Sequence, residues 1–161
     1  MHSRIFQVST RPIAPDEYLS DCYDDYFLST IADYVIKSED DREDDIDQLV
    51  DVSGINVAEE SSGVFYFTVD KEAYLKPRYE RFKERLLDMM NHLSFDAFCE
   101  KDDTNSISYM MYHLNQAYND KYTYRIINSD DGDTAYTLTD FVGLADEGVK
   151  YYIGEIFDYH H

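Results

Sequence analysis

The chain has 161 residues, of which 43% are hydrophobic, and its 34 acidic and 14 basic residues give a formal net charge of −20. This length fits one domain with a sizeable core, and the hydrophobic fraction argues against an intrinsically disordered chain. The acidity argues against direct nucleic-acid binding over most of the surface and against docking on an anionic membrane, because the long-range field repels both. No window approaches the roughly 18 apolar residues of a membrane span.

Several segments of the first half carry the periodicity of regular structure. We predict a strand over 3–8, helices over 24–36 and 40–52, and a hairpin whose strands are 55–58 and 64–69. Ser38 is the expected N-cap of the second helix, and Gly54 is its expected stop. The turn of the hairpin is expected over 59–63.

The second half predicts a long helix over 70–92, capped by Asp70 and kinked or restarted at Pro77. Its apolar residues recur at spacings of three and four, and they are Tyr79, Phe82, Leu86, Met90 and Leu93. We further predict a short helix over 94–99 behind Ser94, a helix over 105–118, hairpin strands over 122–127 and 135–138, a helix over 139–148 capped by Thr139, and a strand over 150–159.

These elements predict one α+β domain over residues 1–161 with a strongly acidic surface. The expected architecture is a small, mostly antiparallel sheet, made of two hairpins plus N- and C-terminal strands and packed with about five helices. No repeat, linker or low-complexity tail interrupts the sequence.

The two cysteines, Cys22 and Cys99, lie far apart and outside any CxxC motif. We interpret them as buried or half-buried free thiols of a reducing compartment. The first twelve residues lack the apolar region of a signal peptide. A cytoplasmic protein is therefore expected.

The negative charge is concentrated in the first third of the chain. Residues 39–51 contain eight acids and one arginine, within a predicted helix that spans roughly 20 Å. The resulting average of about one net charge per 3 Å is close to the roughly 3.4 Å charge spacing of one DNA strand. Helical spacing places Asp40, Asp44, Asp47 and Asp51 in one stripe. Two alternatives to a nucleic-acid-like array remain open. The acids could form a solvated face that only confers solubility, or the six bases of 70–92 could dock against them within the chain.

Motifs for catalysis, cofactors and metals are missing from the sequence. There is no GxSxG, no GxGxxG, no P-loop and no HExxH, so we predict no catalytic, cofactor-binding or metal-binding residue. The stretch 130–133 fails as a calcium loop, because Ile127 and Gly143 fall at ligand positions, and we interpret it as a hairpin turn. A carboxylate-dependent hydrolase stays open as an alternative, since acid–base sites need no motif.

The leading hypothesis is a non-enzymatic protein that binds a basic protein surface. Carboxylates and tyrosine rings together form effective contacts for Lys and Arg. The predicted partner-binding residues are Asp40, Asp41, Asp44, Asp45, Asp47, Asp51, Tyr18 and Tyr23. In size, acidity and lack of a cofactor motif the chain is similar in kind to inhibitors that phages and mobile elements carry, which occupy the DNA- or RNA-binding groove of a restriction or CRISPR nuclease. That resemblance implies nucleic-acid mimicry, and an acidic structural or adaptor domain is the alternative.

Overall fold

The computed structural model describes residues 2–20, 34–99, 106–120 and 123–160. In these ranges the strands are β1 (His2–Ser9), β2 (Tyr34–Lys37), β3 (Val57–Ser61), β4 (Val64–Thr68), β5 (Arg125–Asn128), β6 (Thr134–Thr137) and β7 (Lys150–His160). The α-helices are α1 (Arg42–Ser53), α2 (Lys71–His92), α3 (Phe95–Cys99), α4 (Ile107–Asn119) and α5 (Leu138–Leu144). Short 3₁₀ turns lie at Pro15–Glu17 and Ser129–Asp131.

All seven strands belong to one sheet, which is antiparallel except between β1 and β5. The order is β3-β4-β7-β1-β5-β6. One edge of β7 pairs with β1, whereas its other edge pairs with β4 near Tyr152 and with β2 near Tyr159. The predicted α+β class, with its mostly antiparallel sheet, its two hairpins and its terminal strands, is confirmed.

The two faces of the sheet bury separate apolar clusters, because side chains alternate along a strand. On one face Phe6 and Val8 of β1 pack with residues of three helices, which are Ile46, Leu49, Tyr74, Phe141 and Val142. On the other face Ile5 packs with Val35, Ile127, Phe157 and Tyr159. Helices α1, α2 and α5 therefore cover the first face.

The β1–β7 ladder shifts register between Phe6 and Val8, and Gln7 occupies the irregularity. The Gln7 amide oxygen accepts hydrogen bonds from the backbone N–H of Leu19 (3.1 Å) and of Glu155 (3.0 Å). A Cβ added to Gly154 would lie 2.6 Å from that oxygen. A larger residue at 154 would therefore displace the Gln7 amide from these two hydrogen bonds.

Several helix boundaries follow the predicted signals. The Asp70 carboxylate accepts the Ala73 N–H at the start of α2, and Gly54 ends α1 in the left-handed region at φ 74°. Ser94 caps α3 through the Ala97 N–H. Helix α2 continues through Pro77 to His92 without a second start.

Other boundaries correct the sequence predictions. The predicted helix over 24–36 is wrong at its end, because Tyr34–Lys37 form β2 against β7, and 24–33 lie outside the described residues. Asp41, not Ser38, is the N-cap residue of α1. Thr137, not Thr139, caps α5, since its hydroxyl accepts the Asp140 N–H, and that helix ends at Leu144.

The stretch 130–133 is a hairpin turn, as predicted. The Asp130 carboxylate accepts hydrogen bonds from the Thr10 N–H (2.6 Å) and the Ser9 hydroxyl (2.8 Å), so it ties the turn to the end of β1. Cys99 is a free thiol but is exposed, which corrects the predicted burial, and Cys22 lies outside the described residues. Among the described helices none combines the length and apolarity needed to cross a membrane.

Candidate functional site: an acidic helix face

Helix α1 forms because one side is apolar and its first turn is acidic. Ile46 and Leu49 are buried against the sheet, which fixes the helix in orientation. Glu43 and Asp44 lie in the first turn, where the partial positive charge of a helix N-terminus stabilises carboxylates. The repulsion expected among neighbouring acids is therefore partly offset at this end.

Five carboxylates of α1 and its cap project into solvent. They are Asp41, Glu43, Asp44, Asp47 and Asp51, and we call them the acidic face. Within the residues that the structure describes, no Lys or Arg pairs with any of them. They span ten helical rises, or about 15 Å, which gives roughly one charge per 3 Å. The structure thus brings four of the predicted site residues together on one exposed surface.

Asp45, which was also predicted to bind a partner, points the other way. It is only 1% exposed, and its Oδ1 lies 2.5 Å from Nε of Arg4 on β1. Asp45 lies four residues before the buried Leu49, so helical spacing could have assigned it to the inner face. Its role in the structure is an internal ion pair.

Arg4 also forms ion pairs with two more carboxylates. Its guanidinium pairs with Asp40, which precedes α1, and lies 2.9 Å from Oδ1 of Asp158 on β7. Burial alone would lower the pKa of Arg4, but the hydrogen bond and the charges of these carboxylates raise it above its usual value. Asp40 keeps a side chain that is 54% exposed, so it borders the acidic face with its charge partly balanced by Arg4.

Arg42 does not neutralise the acidic face either. Its guanidinium donates to the backbone carbonyls of Ile153 and Gly154, both at 2.6 Å. The same group lies over the ring of Tyr18, 5.6 Å from its centroid. Tyr18 is therefore half-buried beside the first turn of α1, adjacent to the acidic face, whereas Tyr23 lies outside the described residues.

The bases of α2 are directed elsewhere. Arg78 and Arg81 both bind the Asp120 carboxylate, with Nη2 to oxygen distances of 2.5 Å. Arg78 also donates to the carbonyl of Ser53, which is one of the orphan acceptors at the C-terminus of α1. Docking of the α2 bases onto the acidic carboxylates, the alternative raised by the sequence, does not occur among the described ion pairs.

A groove of about 450 Å³ lies between the end of α1 and the start of α2. Three of its lining carboxylates are Asp51, Asp70 and Asp120. Asp70 is engaged in capping and Asp120 in two ion pairs, so these groups do not form an unpaired acid–base dyad. In the described part of the chain no group of three His, Cys, Asp or Glu side chains is placed to hold a metal ion.

Compared with models of known protein families, with curated proteins and with solved structures, the chain matches none of them.

Proposed function

We propose that this protein is a non-enzymatic binding protein that engages a basic protein surface through the acidic face of α1. The observation that carries the proposal is the exposure of five carboxylates on one helix face without a described basic partner. A face kept unpaired in this way retains its full attraction for Lys and Arg.

The sharper form of the proposal is that the partner surface is the nucleic-acid groove of a DNA- or RNA-handling enzyme, such as a restriction or CRISPR nuclease. It is supported by the charge spacing of the acidic face, roughly one per 3 Å, which is near that of one DNA strand. The rigid attachment of α1 through Ile46 and Leu49 supports it further, since a fixed array loses less entropy on binding than a flexible tail.

We further propose a cytoplasmic location. Cys99 is an exposed free thiol, and such thiols persist in reducing compartments.

The proposal is tested with the triple variant Asp44→Asn/Asp47→Asn/Asp51→Asn. We expect it to lose the proteins that the immobilised wild-type chain captures from host lysate. About 0.5 M salt should release the captured proteins from the wild-type chain, because screening shortens the range of charge attraction. Added duplex DNA should displace the captured enzyme if the acidic face occupies its nucleic-acid groove.

A matched control removes three other exposed acids and so changes the net charge equally. Glu80→Gln/Glu84→Gln/Asp146→Asn meets this requirement, because all three side chains are exposed and none forms a described ion pair. Capture should survive in this control. Equal capture by both triple variants would overturn the proposal and favour an adaptor domain whose acidity only confers solubility.

A further inference from the structure

A second surface, formed by α2 and α3, exposes apolar side chains rather than charges. Its members are Tyr79, Leu86, Leu87, Met90, Leu93, Phe95 and Phe98, which are exposed by 37% to 80%, and we call them the arm surface. Monomeric proteins rarely expose so many large apolar side chains in one stretch of chain.

Helical geometry places the α2 members of the arm surface on one side of that helix. Tyr79, Leu86 and Met90 are seven and four residues apart, so they lie along one side of α2, and Leu87 flanks them. Another side of the helix contacts α4, through the ring contact of Phe82 with Tyr118 and the hydrogen bond from Arg81 to Ala117. Leu93 then leads directly into α3, where Phe95 is 80% exposed.

We propose that the arm surface is a two-fold interface with a second copy of this chain. With about 200 Å² for a fully exposed side chain of this size, the seven residues expose on the order of 800 Å². That is the area of about 800 Å² which a standard interface buries on each partner, and it exceeds the 300–600 Å² of the largest patch on a typical monomer.

The charge layout favours a second copy at this surface. The chain as a whole carries −20, but residues 70–99 contain six basic and six acidic residues and are neutral. Two copies that approach through the acidic face would repel each other, whereas two arm surfaces meet without local repulsion. In a two-fold interface each residue of the arm surface is present twice, once from each copy.

The test is analytical ultracentrifugation of the purified chain at concentrations up to about 100 µM, a range in which a standard-size interface is populated. We expect a monomer–dimer equilibrium whose Kd falls as NaCl rises from 50 to about 500 mM, because salt screens the repulsion between two acidic bodies. This salt dependence is opposite to that expected for the acidic face. A failure of one proposal is thus distinguishable from a failure of the other.

The double variant Leu87→Glu/Met90→Glu should raise the dimer Kd by about a hundredfold or more, because it removes apolar burial and adds charge on both sides of the axis. The control is Leu144→Glu, since Leu144 is 68% exposed on α5, near the other end of α2, and should leave Kd unchanged. Both variants replace exposed residues, and circular dichroism checks that they fold.

A wild-type chain that stays monomeric at every salt concentration would overturn the proposal and point to a different protein as the occupant. So would a dimer that persists in Leu87→Glu/Met90→Glu.

Discussion

The guanidinium of Arg4 joins three parts of the chain. It holds Asp45 of α1, Asp40 before α1 and Asp158 of β7, and both Arg4 and Asp45 are buried. Removal of the cation would leave the Asp45 carboxylate buried without its partner, which is costly in a low-dielectric interior. The orientation of α1, and hence of the acidic face, depends on this contact.

We therefore expect Arg4→Met to lower the free energy of unfolding by about 3–5 kcal/mol. Arg11→Met is the control, because Arg11 lies 3.4 Å from Glu17 with a side chain that is 76% exposed. Such a surface pair is worth at most about 1 kcal/mol. Urea denaturation at pH 7 measures both variants, and equal losses would show that the Arg4 cluster does not anchor α1.

At the scale of the element, α1 places equal charges in unequal fields. Asp44 lies in the first turn and Asp51 in the last, so the helix dipole stabilises the first carboxylate and destabilises the second. Asp47 is a neighbour of both side chains, at spacings of three and four, but Asp44 also lies three and four residues from Asp41 and Asp40. Arg4 partly balances the charge of Asp40, so we expect the dipole to outweigh the additional repulsion at Asp44.

The expected result is that Asp51→Asn is more stable than Asp44→Asn by about 0.5–1 kcal/mol. Urea denaturation at low ionic strength gives the two free energies of unfolding. Each variant is the control for the other, because both remove one exposed carboxylate from the same helix. A difference of the opposite sign would mean that local repulsion, not the dipole, sets the stability of the acidic face.

The elements themselves were largely predictable from the sequence, because hydrophobic periodicity and caps such as Asp70 are local signals. The side of α2 that packs against the rest of the protein was not predictable in this way. The residues predicted as its apolar stripe include Phe82, which packs against Tyr118, but Tyr79 and Met90 of the same stripe are exposed. The helix orientation is fixed by Arg78 and Arg81 on Asp120, a pairing across about 40 residues that no local pattern shows.

The candidate site was predictable in part for the same reason. A dense run of acids indicated α1 as the charged element, and helical spacing from Leu49 could have placed Asp45 on the inner face. Its partner Arg4, 41 residues earlier, follows from no local pattern. The strand β2 was missed because its partner is β7, more than 120 residues later in the chain. Long-range partners therefore account for what the sequence alone did not provide.

For the whole molecule, two opposing effects determine stability in acid. Protonation of the carboxylates cancels the net charge of −20 near the pI of about 4.3 and leaves the chain positive below it, and it also disrupts carboxylates that accept hydrogen bonds in the folded state. Burial by itself raises the pKa of Asp130, but hydrogen bonds from the Thr10 N–H and the Ser9 hydroxyl outweigh it, so the pKa of Asp130 is lowered. Its contribution to stability is present above about pH 4, the ordinary aspartate value, and is lost as pH falls through the lowered pKa.

Asp130→Asn should accordingly melt below the wild type at pH 7, with a gap that shrinks by pH 3. Both chains lose nearly the same net charge on acidification, so the change in the gap reports Asp130 alone. Differential scanning calorimetry measures it. Asp146→Asn, at an exposed position, should show no such convergence, and a gap that stays constant for Asp130→Asn would contradict the assignment.

The central position of β7 in the sheet has a consequence for folding during synthesis. Strands β1, β2 and β4 all pair with β7, which is translated after every other described strand. Until residues 150–160 leave the ribosome, the edges of β2 and of the β3–β4 hairpin have no sheet to join. Pairing between distant segments is slow, because the chain loses the entropy of loop closure before the stabilising contacts form. The nascent chain therefore keeps the strand edges that face β7 unpaired until residues 150–160 emerge, and during this period chaperones act and aggregation competes with folding.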